Sequence, residues 1–182
     1  MPERPQRILV AGVSGSGKTT LARQIADISG ITHTEIDGLY HGPNWTPRAE
    51  FVDDVRELVA AEAWVTEWQY RDVRPLLLSR AELLIWLDLP THMVMFRVIR
   101  RTLSRRLNRT VLWNNNVEPP LHTIFRDPEH IIRWAWRTRG KYRDMHQNLD
   151  VEHLDVVRLR SRRAVRDWLA EFSADAAAQR HE

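Results

Sequence analysis

Short apolar runs alternate with stretches of helical spacing along most of this chain. Arg7-Ile-Leu-Val-Ala11 is an apolar run closed by Gly12, and Lys18 to Ser29 places Leu21, Ile25 and Ile28 at helical intervals before Gly30 stops the pattern. The reading is strand, glycine loop, helix. His33 to Ile36 predicts a second strand, and Thr46-Pro47 offers an N-cap and a first-turn proline for a helix reaching about Glu62. Trp64-Val-Thr66 predicts a third strand, Val73 to Arg80 a brief helix, and Leu83 to Leu87 a strand apolar on both faces, with Asp88 at its carboxyl end. Thr91 caps a helix to about Leu107 that is expected to bury Phe96, Ile99, Leu103 and Leu107 and to turn Arg97, Arg101 and Arg105 the other way. Residues 108 to about 127, with Asn114-Asn-Asn116 and Pro119-Pro120, read as a lid or binding loop. Asp127-Pro128 opens a further helix, His153 to Leu159 a fifth strand, and Ser161 a last helix whose tail frays after Ala174. Strands alternating with helices predict an α/β fold, a parallel sheet covered on both faces with ligands at the carboxyl ends of its strands.

With 182 residues, 43% of them hydrophobic, the chain builds one core, so residues 1–182 are expected to form one domain. No apolar stretch approaches the roughly 20 residues that span a bilayer, and Ile8 to Val13 is short for a signal-peptide core. Without cysteine, disulfides, thiolate nucleophiles and cysteine-ligated zinc are excluded, and a cytoplasmic location is the expectation. The eight histidines show no ligand spacing on a helix, so no zinc site is assigned. Net charge is only +3, yet Arg97, Arg100, Arg101, Arg105, Arg106 and Arg109 fall in one segment without an acidic residue. Trp64, Trp86 and Trp134 are read as core, while Trp45 and Trp113, in loops, are either packing or a platform for a planar ligand.

Gly12-Val-Ser14-Gly15-Ser16-Gly17-Lys18-Thr19 fits G-x-x-x-x-G-K-[ST] in the right place, between an apolar run and a helix. Glycines let backbone N–H groups curl inward around phosphate oxygens, and the helix that follows adds the positive end of its dipole. ATP is therefore expected on Gly12 to Thr20, with Lys18 on the β- and γ-phosphates and the Thr19 hydroxyl on Mg²⁺.

Together with an early phosphate loop, five short strands and an arginine-bearing lid, the segments Asp37-Gly-Leu-Tyr-His-Gly-Pro-Asn-Trp45, Ile85-Trp-Leu-Asp-Leu-Pro90 and Leu112-Trp-Asn-Asn-Asn116 make the chain resemble adenylate-kinase-like small P-loop kinases. Within that group it is most similar to bacterial proteins labelled DNA topology modulation proteins. The resemblance implies a three-layer P-loop NTPase sandwich with sheet order 2-3-1-4-5, ATP and Mg²⁺ as cofactors, and an acceptor beyond strands 2 and 3. It also places Glu67-Trp68-Gln69-Tyr70-Arg71 where nucleoside monophosphate kinases carry Asp-Gly-Phe-Pro-Arg. Glu67 is thereby implied on the metal's water shell, Trp68 is expected to narrow the acceptor site, and Arg71 is implied as an acceptor contact. Asp37, ending strand 2, resembles the aspartate that orients or deprotonates the acceptor hydroxyl in small-molecule kinases, with Tyr40, Trp45 and Tyr70 beside it. Arg97 resembles an adenine-stacking residue and Arg101 a contact to the transferring phosphate. Arg126, Arg133 and Arg137 look like a second arm of lid arginines closing on the γ-phosphate. Asp88 is either a second metal-binding carboxylate or a cap for the helix after it.

Two functions follow as expectations. One is an ATP-dependent phosphotransferase with an unidentified small-molecule, nucleoside or nucleotide acceptor. The other is a nucleic-acid-binding protein switched by nucleotide, using the Arg97 to Arg109 helix.

Overall fold

Each apolar run becomes a strand of one parallel sheet. The computed structural model describes residues 4–108, 110–116, 123, 130–142 and 153–178. Strands β1 (Arg7–Gly12), β2 (His33–Thr34), β3 (Trp64–Glu67), β4 (Leu83–Leu87) and β5 (Asp155–Leu159) lie in the order β2-β3-β1-β4-β5. In register, Val10 of β1 stands opposite Glu67, the end of β3, on one side and Ile85 on the other, and β1 and β4 run on to finish together at Gly12 and Leu87.

Alternation along the strands splits the core into two layers. Leu9, Ala11, Leu84 and Trp86 face one side, against Val55, Val59 and Leu77 from helices α3 (Phe51–Ala60) and α4 (Arg74–Leu78). Ile8, Val10, Val65 and Ile85 face the other, against Leu21 and Ile25 of α1 (Lys18–Ser29) and Phe172 of the last helix. Ile8, Leu9, Val10 and Ala11 are fully buried. At about 1.5–3 kcal/mol for each large aliphatic side chain, this strand alone anchors the layers on both faces.

Several elements depart from the sequence reading. Strand β2 is only two residues long, and Ile36–Tyr40 forms a short helix, α2, so Asp37 lies in a first helical turn instead of at a strand end. Thr46-Pro47 does not start α3; Thr46 closes a tight turn at Pro43–Trp45, and Pro47 bridges to His41. Helix α5 (Thr91–Leu107) has the expected length but buries Val94, Val98 and Thr102. The larger stripe is outside, with Phe96 64%, Ile99 40%, Leu103 39% and Leu107 80% exposed. Thr91 does not cap it by side chain, and Pro90 is the N-cap residue. Asp88 caps nothing either, because its carboxylate is paired with Arg158 at 2.6 Å. Helix α6 (Ile131–Arg137) is capped by His130, whose Nδ1 accepts from the Ile132 N–H at 3.3 Å. Trp134 on that helix is 37% exposed and is not core, unlike Trp64 and Trp86. Asp127-Pro128 and Arg126 lie outside the described residues, as does most of the expected lid. Helix α7 (Arg162–Ala178) starts at Ser161, whose Oγ accepts from the Ala164 N–H at 3.0 Å, and it continues past Ala174 with Ala176 buried. Among the described residues no helix is long and apolar enough to cross a membrane.

Candidate functional site

The loop between β1 and α1 has a shape that only glycine allows at two places. Gly12 has φ +151°, and a Cβ there would sit 2.5 Å from Ser16 Oγ and 3.1 Å from the Leu87 carbonyl oxygen. Gly15 has φ +81°, and its Cβ would fall 2.3 Å from Val98 Cγ2. Helix α5 therefore presses directly on the loop, and Val94 and Val98 are the buried residues because Gly15 leaves room for them. Arg97, on the same helix, donates from Nη1 to the Ser16 carbonyl oxygen at 2.9 Å. Ser14 and Gly17 complete the loop, with Gly17 at the N-cap of α1, while Thr20 is exposed in the first turn of that helix.

Lys18 is buried, and its Nζ donates only a long 3.4 Å bond to the Val13 carbonyl oxygen. Burial lowers its pKa; Asp37 and Glu67 oppose that shift, while Arg101 and Arg74 add to it. This one ammonium thus reports which groups share the site. Glu67 ends β3 and is 2% exposed. Burial by itself would raise its pKa, yet hydrogen bonds from His33, the Ile36 N–H and the Thr19 hydroxyl outweigh it and hold the carboxyl below its ordinary value. The Ile36 N–H donates to Oε2 at 3.1 Å, and His33 Nε2 lies 3.3 Å from Oε1. Thr19 and Glu67, both expected at the metal, are therefore close enough for the Thr19 hydroxyl to help hold the carboxyl charged.

On the acceptor side, Asp37 Oδ1 accepts from Gln69 Nε2 and from the Tyr70 hydroxyl, both at 2.6 Å. Burial, with Asp37 adding to it, raises the Tyr70 pKa, so Tyr70 stays a donor. Tyr40 stacks on Tyr70 with ring centroids 4.0 Å apart, and His41 Nε2 lies 3.3 Å from the Tyr70 hydroxyl oxygen. Trp45 packs edge-on against Trp113, with ring centroids 6.4 Å apart. Their two turns interlock: Asn116 Oδ1 accepts from the Trp45 N–H at 3.0 Å, Asn116 Nδ2 donates to the Gly42 carbonyl oxygen at 2.9 Å, and Trp113 Nε1 donates to Glu35 Oε2 at 2.8 Å. The described part of the expected lid is thus fastened to the loop after α2.

Other expected residues fall elsewhere. Arg71 is exposed and makes no hydrogen bond or ion pair with a described residue. Arg74 takes its place near Lys18. Trp68 does not narrow the acceptor side, for it is buried in the core against Tyr142 and beneath the Arg74 guanidinium, 4.5 Å from its ring. Arg133 and Arg137 are exposed on α6 and line an open cleft with Met95, Ile132 and Trp136. Arg101 lies close enough to Lys18 to affect it electrostatically. The sequence reading missed His33, Gln69, Arg74, Lys141 and Tyr142. Of these only Gln69 carried a local signal, since it lies just past the strand that ends in Glu67.

The residues fit a polyphosphate with a divalent cation. Ser16 Oγ is buried without a hydrogen-bond partner, Lys18 is a desolvated cation with one weak bond, and the hydroxyl and carboxylate of Thr19 and Glu67 form an all-oxygen pair suited to Mg²⁺ and its water. No protein-family model matches the chain, and no curated protein matches it. Solved structures do. A gluconokinase from Sinorhizobium meliloti 1021 superposes with a TM-score of 0.55 at 20% identity, covering 96% of this chain and 93% of that one. A shikimate kinase from Acinetobacter baumannii in complex with shikimate gives 0.57 at 18% identity, over 96% and 94%. Another, from Bacteroides thetaiotaomicron, gives 0.57 at 11% identity, over 94% and 98%. This is the fold of the small P-loop kinases. In that P-loop kinase fold the site lies where the central strands end, here Glu67 opposite Val10 and Leu87 opposite Gly12.

Proposed function

We propose that the chain is an ATP-dependent small-molecule kinase. The observation that carries this reading is Lys18, a buried cation at the head of α1 with the carboxylates of Asp37 and Glu67 near enough to favour its charge. A bare nucleotide switch has no need of a second carboxylate fixed by two donors and opening toward a separate aromatic wall. A phosphotransferase does.

In this reading Gly12, Ser14, Gly15, Ser16 and Gly17 offer main-chain and side-chain donors to the phosphates of ATP, with Lys18 against the β- and γ-phosphates and Thr20 at the rim. Thr19 and Glu67 hold Mg²⁺, which when bound offsets charge on the polyphosphate. Arg97, fixed to the loop by its bond to Ser16, flanks the nucleotide, and Arg101 faces the transferring group. Asp37 orients the acceptor hydroxyl. As the acceptor oxygen forms its bond to the γ-phosphorus, the bond to the β,γ-bridging oxygen breaks, ADP departs, and the hydroxyl proton passes to Asp37. Tyr40, Trp45 and Tyr70 bound the acceptor, with Arg71 at its outer edge. Arg133 and Arg137, exposed on α6 beside an open cleft, are the lid arginines assigned to the γ-phosphate.

The three superposed structures supply fold support, and by name they are a gluconokinase and two shikimate kinases, all acting on small organic molecules. Nucleic-acid binding through α5 is not favoured, because Arg97, its first arginine, is already engaged with the phosphate loop. The test is ATP consumption across nucleosides, nucleoside monophosphates, sugars and small hydroxy acids, run beside Lys18→Ala. Turnover with one acceptor that disappears in the variant is the expected result. Silence across the panel, with ATP still bound, would remove the reading.

A further inference from the structure

Two cations near the site have no task once Lys18 and Arg101 are assigned to nucleotide. Arg74 opens α4 just beyond the carboxyl end of β3, and Lys141 lies in the turn after α6. Tyr142 joins them. Its hydroxyl donates to the Trp68 carbonyl oxygen at 3.0 Å and accepts from Arg74 Nη2 at 2.8 Å. The Arg74 guanidinium lies 5.1 Å from the Tyr142 ring centroid, and Lys141 Nζ lies 5.8 Å from the same centroid. Tyr142 is 5% exposed, so this is a fixed joint that brings the chain after α6 back to the end of β3.

Neither cation has an ion-pair partner among the described residues, and Arg74 Nε is buried without any hydrogen-bond partner. Leaving a guanidinium donor buried and unmet is costly, and gathering like charges adds to the cost. The Lys141 ammonium registers both effects: partial desolvation first, then Arg74 and Lys18, push its pKa down to about 8. If the role of Arg74 were only to cover Trp68, the same packing would not need Lys141 beside it. An anion held by the exposed Lys141 ammonium and the outer edge of the Arg74 guanidinium removes the repulsion.

We propose that Arg74 and Lys141 form a second anion site, distinct from the phosphate loop, which holds a carboxylate or phosphate group on the acceptor. This rests on the kinase reading for what the anion belongs to. Arg74 follows Gln69 and Tyr70, the residues that hold Asp37, so the anion lies on the acceptor side of Lys18. The acceptor is then a hydroxylated organic acid or a phosphate ester, and a neutral sugar or nucleoside is a poor one.

The experiment uses the full chain with Mg²⁺ and a non-hydrolysable ATP analogue in excess. Inorganic phosphate and, separately, succinate are titrated in, followed by calorimetry and by tryptophan fluorescence, since Trp68 adjoins the joint. One of the two anions binds the wild type, Lys141→Met weakens it at least fivefold, and Lys141→Arg restores most of it. Whichever anion binds more tightly tells a phosphate ester from an organic acid. The Lys18→Ala protein, which no longer holds the analogue, still binds the anion. If neither anion binds, or if Lys141→Met binds as the wild type does, the second site is overturned. Failure of the wild type to bind the analogue instead counts against the kinase reading alone.

Discussion

The hydroxyl of Tyr70 donates to Asp37 Oδ1 at 2.6 Å while the Tyr70 ring stacks on Tyr40 at 4.0 Å, so one side chain both orients the carboxylate and fixes the wall beside it. Tyr70→Phe separates the two duties. It keeps the stack and removes the donor. A hydrogen bond to a charged group is worth about 1.5–3 kcal/mol, which corresponds to a fall in kcat of roughly 10- to 100-fold. Nucleotide affinity should not change. Steady-state kinetics with an identified acceptor, beside a nucleotide titration, checks this; an unaltered kcat would show that Asp37 needs no such support.

Lys18→Met replaces a buried ammonium by an apolar chain of similar length. Nucleotide binding should be lost, since no other cation reaches the phosphates from inside the loop. The protein without nucleotide should melt at the same temperature or higher, because the desolvation that lowers the Lys18 pKa is removed. Calorimetric titration and thermal melts read the two effects. A large drop in melting temperature would mean that Lys18 stabilises the fold through its carboxylate neighbours.

Gly15→Ala forces a Cβ to 2.3 Å from Val98 Cγ2 and 3.1 Å from the Val94 carbonyl oxygen, at φ +81°. The expected loss is about 1–3 kcal/mol by urea denaturation, together with weaker nucleotide binding. Adding Val98→Ala should return only part of it, because the backbone oxygen and the left-handed φ remain.

Glu67 predicts a pH dependence. Its carboxyl is held below the ordinary 4.5 by His33, the Ile36 N–H and Thr19 against the opposing effect of burial. The unfolded chain therefore takes up this proton first as pH falls. The stability Glu67 contributes is complete above about pH 4.5 and is lost as pH drops through the lower folded value. Glu67→Gln should cost about 1–3 kcal/mol at neutral pH, with the difference from wild type shrinking below pH 4. Denaturation midpoints across pH 3–7 would show it, and parallel curves would refute it.

What could be read from the chain is what short-range pattern controls. Leu83 to Leu87 and Ile8 to Ala11 are apolar on both faces, so they could only be buried strands, and Lys18-Thr19 after Gly17 located the phosphate loop without a structure. Helix α5 shows where pattern fails. Its bulkiest residues sit outside because the contact that selects the buried face is with backbone at Gly15, against which Val94 and Val98 pack. Arg71 and Arg74 illustrate a second limit. Tyr70 has φ +52°, and this left-handed residue turns the chain so that Arg71 faces solvent and Arg74 returns toward Lys18. Tyr142 was beyond reach altogether, since its partners Trp68 and Arg74 lie 74 and 68 positions away in sequence.

Helix α5 touches the phosphate loop near its start, through Val94, Arg97 and Val98. Past its far end the chain is tied back by the Thr110 N–H to the Arg105 carbonyl oxygen at 2.9 Å and runs on to the turn that Asn116 fastens to Gly42 and Trp45. A 17-residue helix is a rod about 25 Å long. Its first turns rest on the phosphate loop and the chain beyond it is moored beside Gly42 and Trp45, so in the kinase reading a tilt at one end would be felt at the other.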